Sequence, residues 1–171
     1  MSRSLRLDLQ IHGKIPSAIT SAEIRKTTRG VLRELDIKRA EIGLVFLDER
    51  QMTKANFAYR KLNKPTDVLS FGYSVPGASV IPAKVGIRSR MDPRFHGNDE
   101  GRAGERDELV GDILICPSYA KVQAKERKIS LAEELKRLLV HGLLHLSGMD
   151  HATARTEKRM FGLQEKLVRE V

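Results

Sequence analysis

Val110-Gly111-Asp112-Ile113-Leu114-Ile115-Cys116-Pro117 is the stretch on which the fold turns. Val110 to Ile115 is a short run dominated by branched apolar residues, which suits a strand. Pro117 follows almost at once. Its fixed φ and missing N–H suit the first turn of a helix, continued by Ser118 to Lys128, so a strand passes directly into a helix. Further on, Ser130 with Glu133 matches a capping box. The helix it opens runs through Leu135, Leu138, Leu139 and Leu146, and Gly148 is placed to end it. A last amphipathic helix covers roughly residues 154–168.

Before that stretch the pattern changes. Leu5, Leu7, Leu9 and Ile11 alternate with Arg6, Asp8 and Gln10, the period of a strand with one wet face. Ser17 to Leu35 reads as a helix, with Ser17 or Ser21 as its cap and Ile24, Val31, Leu32 and Leu35 as its stripe. Ile42 to Leu47 suits a strand, and the segment from about Asp48 through Arg60 favours helix until Pro65 stops it. Val68 to Tyr73 is a further strand. Strands alternate with helices in the first half and helices dominate the second. The fold class is therefore α+β with α/β-like character, built on a small sheet as a single domain over residues 1–171.

One segment departs from this pattern. From about residue 76 to 108 the chain is rich in Gly, Pro and charge, as in Asp92-Pro93-Arg94-Phe95-His96-Gly97-Asn98-Asp99-Glu100, and keeps no period. So long a structureless stretch inside a compact domain reads as an inserted loop. It also resembles translated repeat elements scattered through some bacterial genomes.

Composition limits the classes of function. With 40% hydrophobic and 31% charged residues, neither a disordered nor a disulfide-rich chain is indicated. Cys116 is the only cysteine, which excludes an internal disulfide and a thiolate metal cluster, and it reads as a small buried hydrophobe. The apolar runs are far too short for a bilayer, and the first residues lack the apolar block of a signal peptide. The expectation is a cytoplasmic protein with no membrane partner. Thirty-one basic against 22 acidic residues give a formal charge of +9, which favours polyanions without choosing among them.

The chemistry concentrates in His141-Gly142-Leu143-Leu144-His145-Leu146-Ser147-Gly148-Met149-Asp150-His151. His141 and His145 are four apart and share one helix face. Gly148 can adopt the left-handed conformation that turns the chain back, bringing His151 to the same point. Three neutral imidazoles with a fourth position left for water describe a catalytic zinc site rather than a closed structural one. The spacing has the outline of a zinc-protease helix, but Gly142 stands where those enzymes carry the glutamate base. Peptide hydrolysis by that route is disfavoured. Asp150 reads equally as an orienting acceptor for His151 or as a turn residue; Asp67 reads as a turn brace. His12 and His96 are expected to be surface residues rather than ligands.

The run from His141 to His151 resembles the motif of the YbeY family of bacterial endoribonucleases and ribosomal RNA maturation factors. Asn56-Phe57-Ala58-Tyr59-Arg60-Lys61-Leu62-Asn63-Lys64-Pro65-Thr66-Asp67-Val68-Leu69-Ser70-Phe71 and Gly111-Asp112-Ile113-Leu114-Ile115 resemble two further blocks of that family, in the right order. The resemblance implies a mixed sheet of about four strands packed against five or six helices. It implies one zinc ion held by His141, His145 and His151, with Arg60 as the functional arginine. It also implies single-strand-specific RNA hydrolysis in 16S ribosomal RNA 3′-end maturation and ribosome quality control, with ribosomal RNA and the small subunit as partners. Gly72 and Cys116 depart from the residues usual there, and the inserted loop is longer than is common. A non-enzymatic ribosome assembly factor with a structural zinc is the alternative, and a protease ranks third.

Overall fold

The computed structural model describes residues 5–73 and 108–171. The expected inserted loop lies outside the described residues, except for its last position, Glu108, which begins a strand. The described residues form four strands and five helices. The strands are β1 (Arg6–His12), β2 (Arg39–Phe46), β3 (Val68–Gly72) and β4 (Glu108–Ile115). The helices are α1 (Ser21–Glu34), α2 (Glu49–Arg60), α3 (Pro117–Arg127), α4 (Leu131–Leu146) and α5 (Ala154–Glu170). The sheet order is β1-β2-β4-β3, with β1, β2 and β4 parallel and β3 antiparallel to β4. This is the expected mixed sheet in an α+β domain.

The boundaries differ from the sequence reading for identifiable reasons. Helix α1 is capped by Thr20, not by Ser17 or Ser21. Thr20 Oγ1 accepts from Glu23 N at 3.2 Å, and the Glu23 carboxylate accepts from Thr20 N at 2.7 Å. A reciprocal cap needs a side-chain acceptor three residues on, and of Ser17, Thr20 and Ser21 only Thr20 has a carboxylate there. At α4, Ser130 accepts from Glu133 N at 3.1 Å, while the Glu133 carboxylate pairs with Arg137. Strands β2 and β4 each start earlier than their apolar runs, at Arg39 and Glu108, which lie side by side in register. Arg39 Nε sits 3.2 Å from Glu108 Oε1, a cross-strand pair that lets charged residues extend the ladder.

Alternation along the central strands divides the core between two faces. Ile42, Leu44 and Phe46 of β2 with Ile113 and Ile115 of β4 face Ile24, Val31 and Leu32 of α1, Leu135 and Leu139 of α4, and Met160 and Leu167 of α5. Val45 and Leu47, with Leu114 and Cys116, face Met52 and Ala55 of α2. Both faces are thus buried along most of β4 and at the C-terminal end of β2, as a parallel core strand requires. Cys116 is fully buried, as expected, with Sγ 3.3 Å from Ser118 Oγ. No helix among the described residues is long and apolar enough to cross a membrane.

Candidate metal centre

Helix α4 turns Leu135, Leu138, Leu139 and Leu143 to the core and leaves His141 and His145 half-buried on its outer flank. Gly142 sits between these faces. A Cβ built there would meet Ile113 Cγ2 at 2.8 Å, so the helix rests on β4 at a distance only glycine allows. Any side chain at 142 is directed into the sheet, so the position of the protease glutamate is sterically closed.

The helix ends as its sequence requires. Gly148 has φ 86°; its N–H donates to His145 O at 3.0 Å, and Met149 N–H donates to Leu144 O at 3.1 Å, the two bonds of a Schellman motif. The reversed chain carries His151 back towards α4 before Thr153 caps α5. Ring centroids of His141 and His145 lie 4.5 Å apart, with that of His151 at 5.8 and 5.1 Å. One nitrogen from each ring falls within 4.8 Å of the others, so the three histidines could hold a metal ion. Among the described residues no carboxylate or thiol joins the group.

The hydrogen bonds indicate which nitrogens are available. His145 Nδ1 lies 2.9 Å from Met149 O, and His141 Nδ1 lies 2.8 Å from Gln164 Oε1. The Met149 carbonyl only accepts, so His145 Nδ1 carries the proton and donates; with the Gln164 carbonyl oxygen turned to it, His141 Nδ1 does the same. Burial is the first cause pushing both imidazoles below the ordinary value of about 6.5; for His145 the adjacent His141 is the next, and for His141 the Gln164 bond opposes it in part. Neutral rings protonated at Nδ1 carry lone pairs on Nε2. Those two atoms are 3.0 Å apart. Two facing lone pairs cannot bond to each other, but a shared cation satisfies both. Two nitrogens each about 2.05 Å from a tetrahedral zinc would lie about 3.3 Å apart, so the spacing fits the ion.

Phe161 of α5 lies nearly parallel to His141 and His151, at 6.0 and 5.9 Å between centroids, and is 37% exposed at the rim. Arg60, the last residue of α2, is exposed, and its charge acts on His145. Asp67 braces the start of β3: its Oδ1 accepts from Thr66 Oγ1 at 2.9 Å and Val68 N at 2.8 Å. Its charge also reaches His141, where it favours protonation. Asp150 resolves as a turn residue, accepting from Ala152 N at 3.2 Å. His12 ends β1 and is no member of the trio; His96 lies outside the described residues. The sequence reading missed Gln164, although a lone amide in the stripe Met160, Gln164, Leu167, Val168 was a signal.

Comparisons with known proteins agree with this architecture. The family model described as Endoribonuclease YbeY matches residues 9–171. A Treponema denticola protein named Endoribonuclease YbeY is 34% identical over 168 residues, covering 98% of this chain and 93% of that protein. One of the same name from a Sulfurihydrogenibium species is 36% identical over 150 residues, covering 87% and 82%. A Thermotoga maritima protein solved in solution matches in fold with a TM-score of 0.57 at 21% identity, covering 95% of this chain and 88% of that one.

Proposed function

The chain belongs to the endoribonuclease YbeY family, and from that membership we propose that it hydrolyses RNA phosphodiesters at a zinc centre held by His141, His145 and His151. The observation that carries this reading is the convergence of the His141 and His145 Nε2 atoms, 3.0 Å apart, with His151 alongside. When bound, zinc supplies Lewis acidity and a water acidified towards neutrality. The chain supplies the rest. The bond to Met149 O holds the His145 ring in one tautomer and one orientation. Arg60, always cationic and able to offer two donors, binds the scissile phosphate and stabilises the charge that develops on it. The formal charge of +9 raises encounter with a polyanion.

Single-strand preference, 16S ribosomal RNA 3′-end maturation, ribosome quality control, docking to the small ribosomal subunit and a cytoplasmic location form the finer part of the proposal. They rest on the resemblance of the three sequence blocks. The alternative, an assembly factor with a purely structural zinc, calls for a cation closed off by protein. A three-imidazole set supports the open, catalytic arrangement instead. His145→Ala is expected to lower zinc content and cleavage of a defined single-stranded RNA together. Full cleavage by a zinc-free His145→Ala protein would sink the metal mechanism, and full zinc content without cleavage in wild type would favour the assembly factor.

A further inference from the structure

Gln164 is 5% exposed, within a stripe that is otherwise Met160, Leu167 and Val168. A buried amide needs partners at both ends. We infer that Gln164 is a positioning residue for the metal centre, its Oε1 holding His141 with the proton on Nδ1 and the lone pair of Nε2 aimed at the ion.

The inference rests on the zinc reading above and extends it to the residue that sets which nitrogen is free. An amide can present either end. Turned over, it would offer N–H to Nδ1, and the ring proton would move to Nε2, where it blocks a cation. A contact at the other end of the amide favours the first orientation. Gln164 Nε2 lies 3.5 Å from Glu165 Oε1, a carboxylate that only accepts. Glu165 is in turn paired with Arg137 Nη1. Arg137 precedes His141 by four residues, so both stand on the same side of α4. The relay leaves α4 at Arg137, crosses to α5 at Glu165, steps to Gln164 and returns to α4 at His141. It therefore ties α5 to α4 at the point where the ligand must be aimed. His145 receives the same service from a backbone carbonyl, which leaves Gln164 as the half of the arrangement that mutation can reach.

The test uses the full chain, stripped of metal and titrated with Zn²⁺ against a chromogenic chelator. Gln164→Leu is expected to weaken zinc binding by about 10–100-fold, the usual effect of losing a ligand's outer partner. Gln164→Glu keeps an acceptor opposite Nδ1 and is expected to bind zinc within about threefold of wild type. Zinc bound as tightly by Gln164→Leu as by wild type would overturn the inference. Should that variant fail to fold, long-range ¹⁵N–¹H spectra of wild type decide. A His141 ring proton on Nδ1, slow to exchange, is expected, and a proton on Nε2 would overturn it. No zinc binding by wild type would remove the metal centre and this inference together, whereas tight binding indifferent to residue 164 removes only the inference.

Discussion

Replacing Gly142 by alanine tests the placement of the helix that carries two of the three imidazoles. The added Cβ would stand 2.8 Å from Ile113 Cγ2, 3.0 Å from Cδ1 and 3.1 Å from Cγ1, all closer than van der Waals contact. Ile113 is fully buried and β-branched on a central strand, so it has little room to turn away. Overpacking of this kind costs about 1–3 kcal/mol. Alanine in place of glycine in a helix returns about 1 kcal/mol. The net is a destabilisation of about 1 kcal/mol, or a fall in Tm of about 2–4 °C for a chain of this size. Thermal unfolding of the metal-free protein measures it. A double-mutant cycle with Ile113→Ala isolates the contact: that truncation costs about 2–5 kcal/mol alone, and about 1–3 kcal/mol less in the background of Gly142→Ala. Zinc affinity is expected to fall with the Tm, because α4 must lift from β4 to accommodate the methyl. A Tm at or above wild type, or strict additivity in the cycle, would refute the contact and with it the steric reason for the missing protease glutamate.

Three further outcomes follow from the same geometry. Arg60→Glu should lower RNA cleavage by about 100-fold or more while one zinc per chain is retained, and cleavage within about threefold of wild type would remove Arg60 from the site. The metal-free protein should lose stability as pH falls below about 6.5. Both His141 and His145 are held below that value in the folded state, chiefly by burial, so the unfolded chain binds more protons there. Their contribution is full above the unfolded value and fades towards the lower folded one. Urea unfolding at a series of pH values checks it, and a flat profile from pH 7 to about 5 would contradict the burial of the pair. Arg127→Ala should cost about 3 kcal/mol, because the Glu134 carboxylate is 0% exposed and takes Arg127 Nη1 on both oxygens, at 2.7 and 2.9 Å. A Tm drop under about 1 °C would mean that Arg137, 3.7 Å away, carries the compensation instead.

The fold was legible where one residue type permits few conformations. Pro117 opens α3, Gly148 ends α4, period-two alternation places β1, short apolar runs place β2 and β4, and helical stripes place α1 and α4. Boundaries were less legible because partners distant in sequence set them. Arg39 enters β2 through its pairing with Glu108, sixty-nine positions later, which an apolar run cannot announce. The cap of α1 was missed differently: Ser17 and Ser21 are good capping residues by type, but Thr20 alone has an acid at the right offset.

The same distinction explains what was readable in the site. A ligand set confined to eleven residues is written in local spacing, because helix pitch and one left-handed glycine suffice to bring the rings together. The groups that face the Nδ1 atoms are harder to read. Met149 acts through a backbone carbonyl, to which its side-chain identity contributes nothing, and Gln164 comes from a helix whose rotation relative to α4 is set by tertiary packing. Yet Gln164 occupies the buried stripe of an amphipathic helix, where an amide is unfavourable unless a partner waits for it. Polar residues at core positions of helices that pack beside a suspected ligand run are therefore the places to search for the outer partners of a metal, before any coordinates exist.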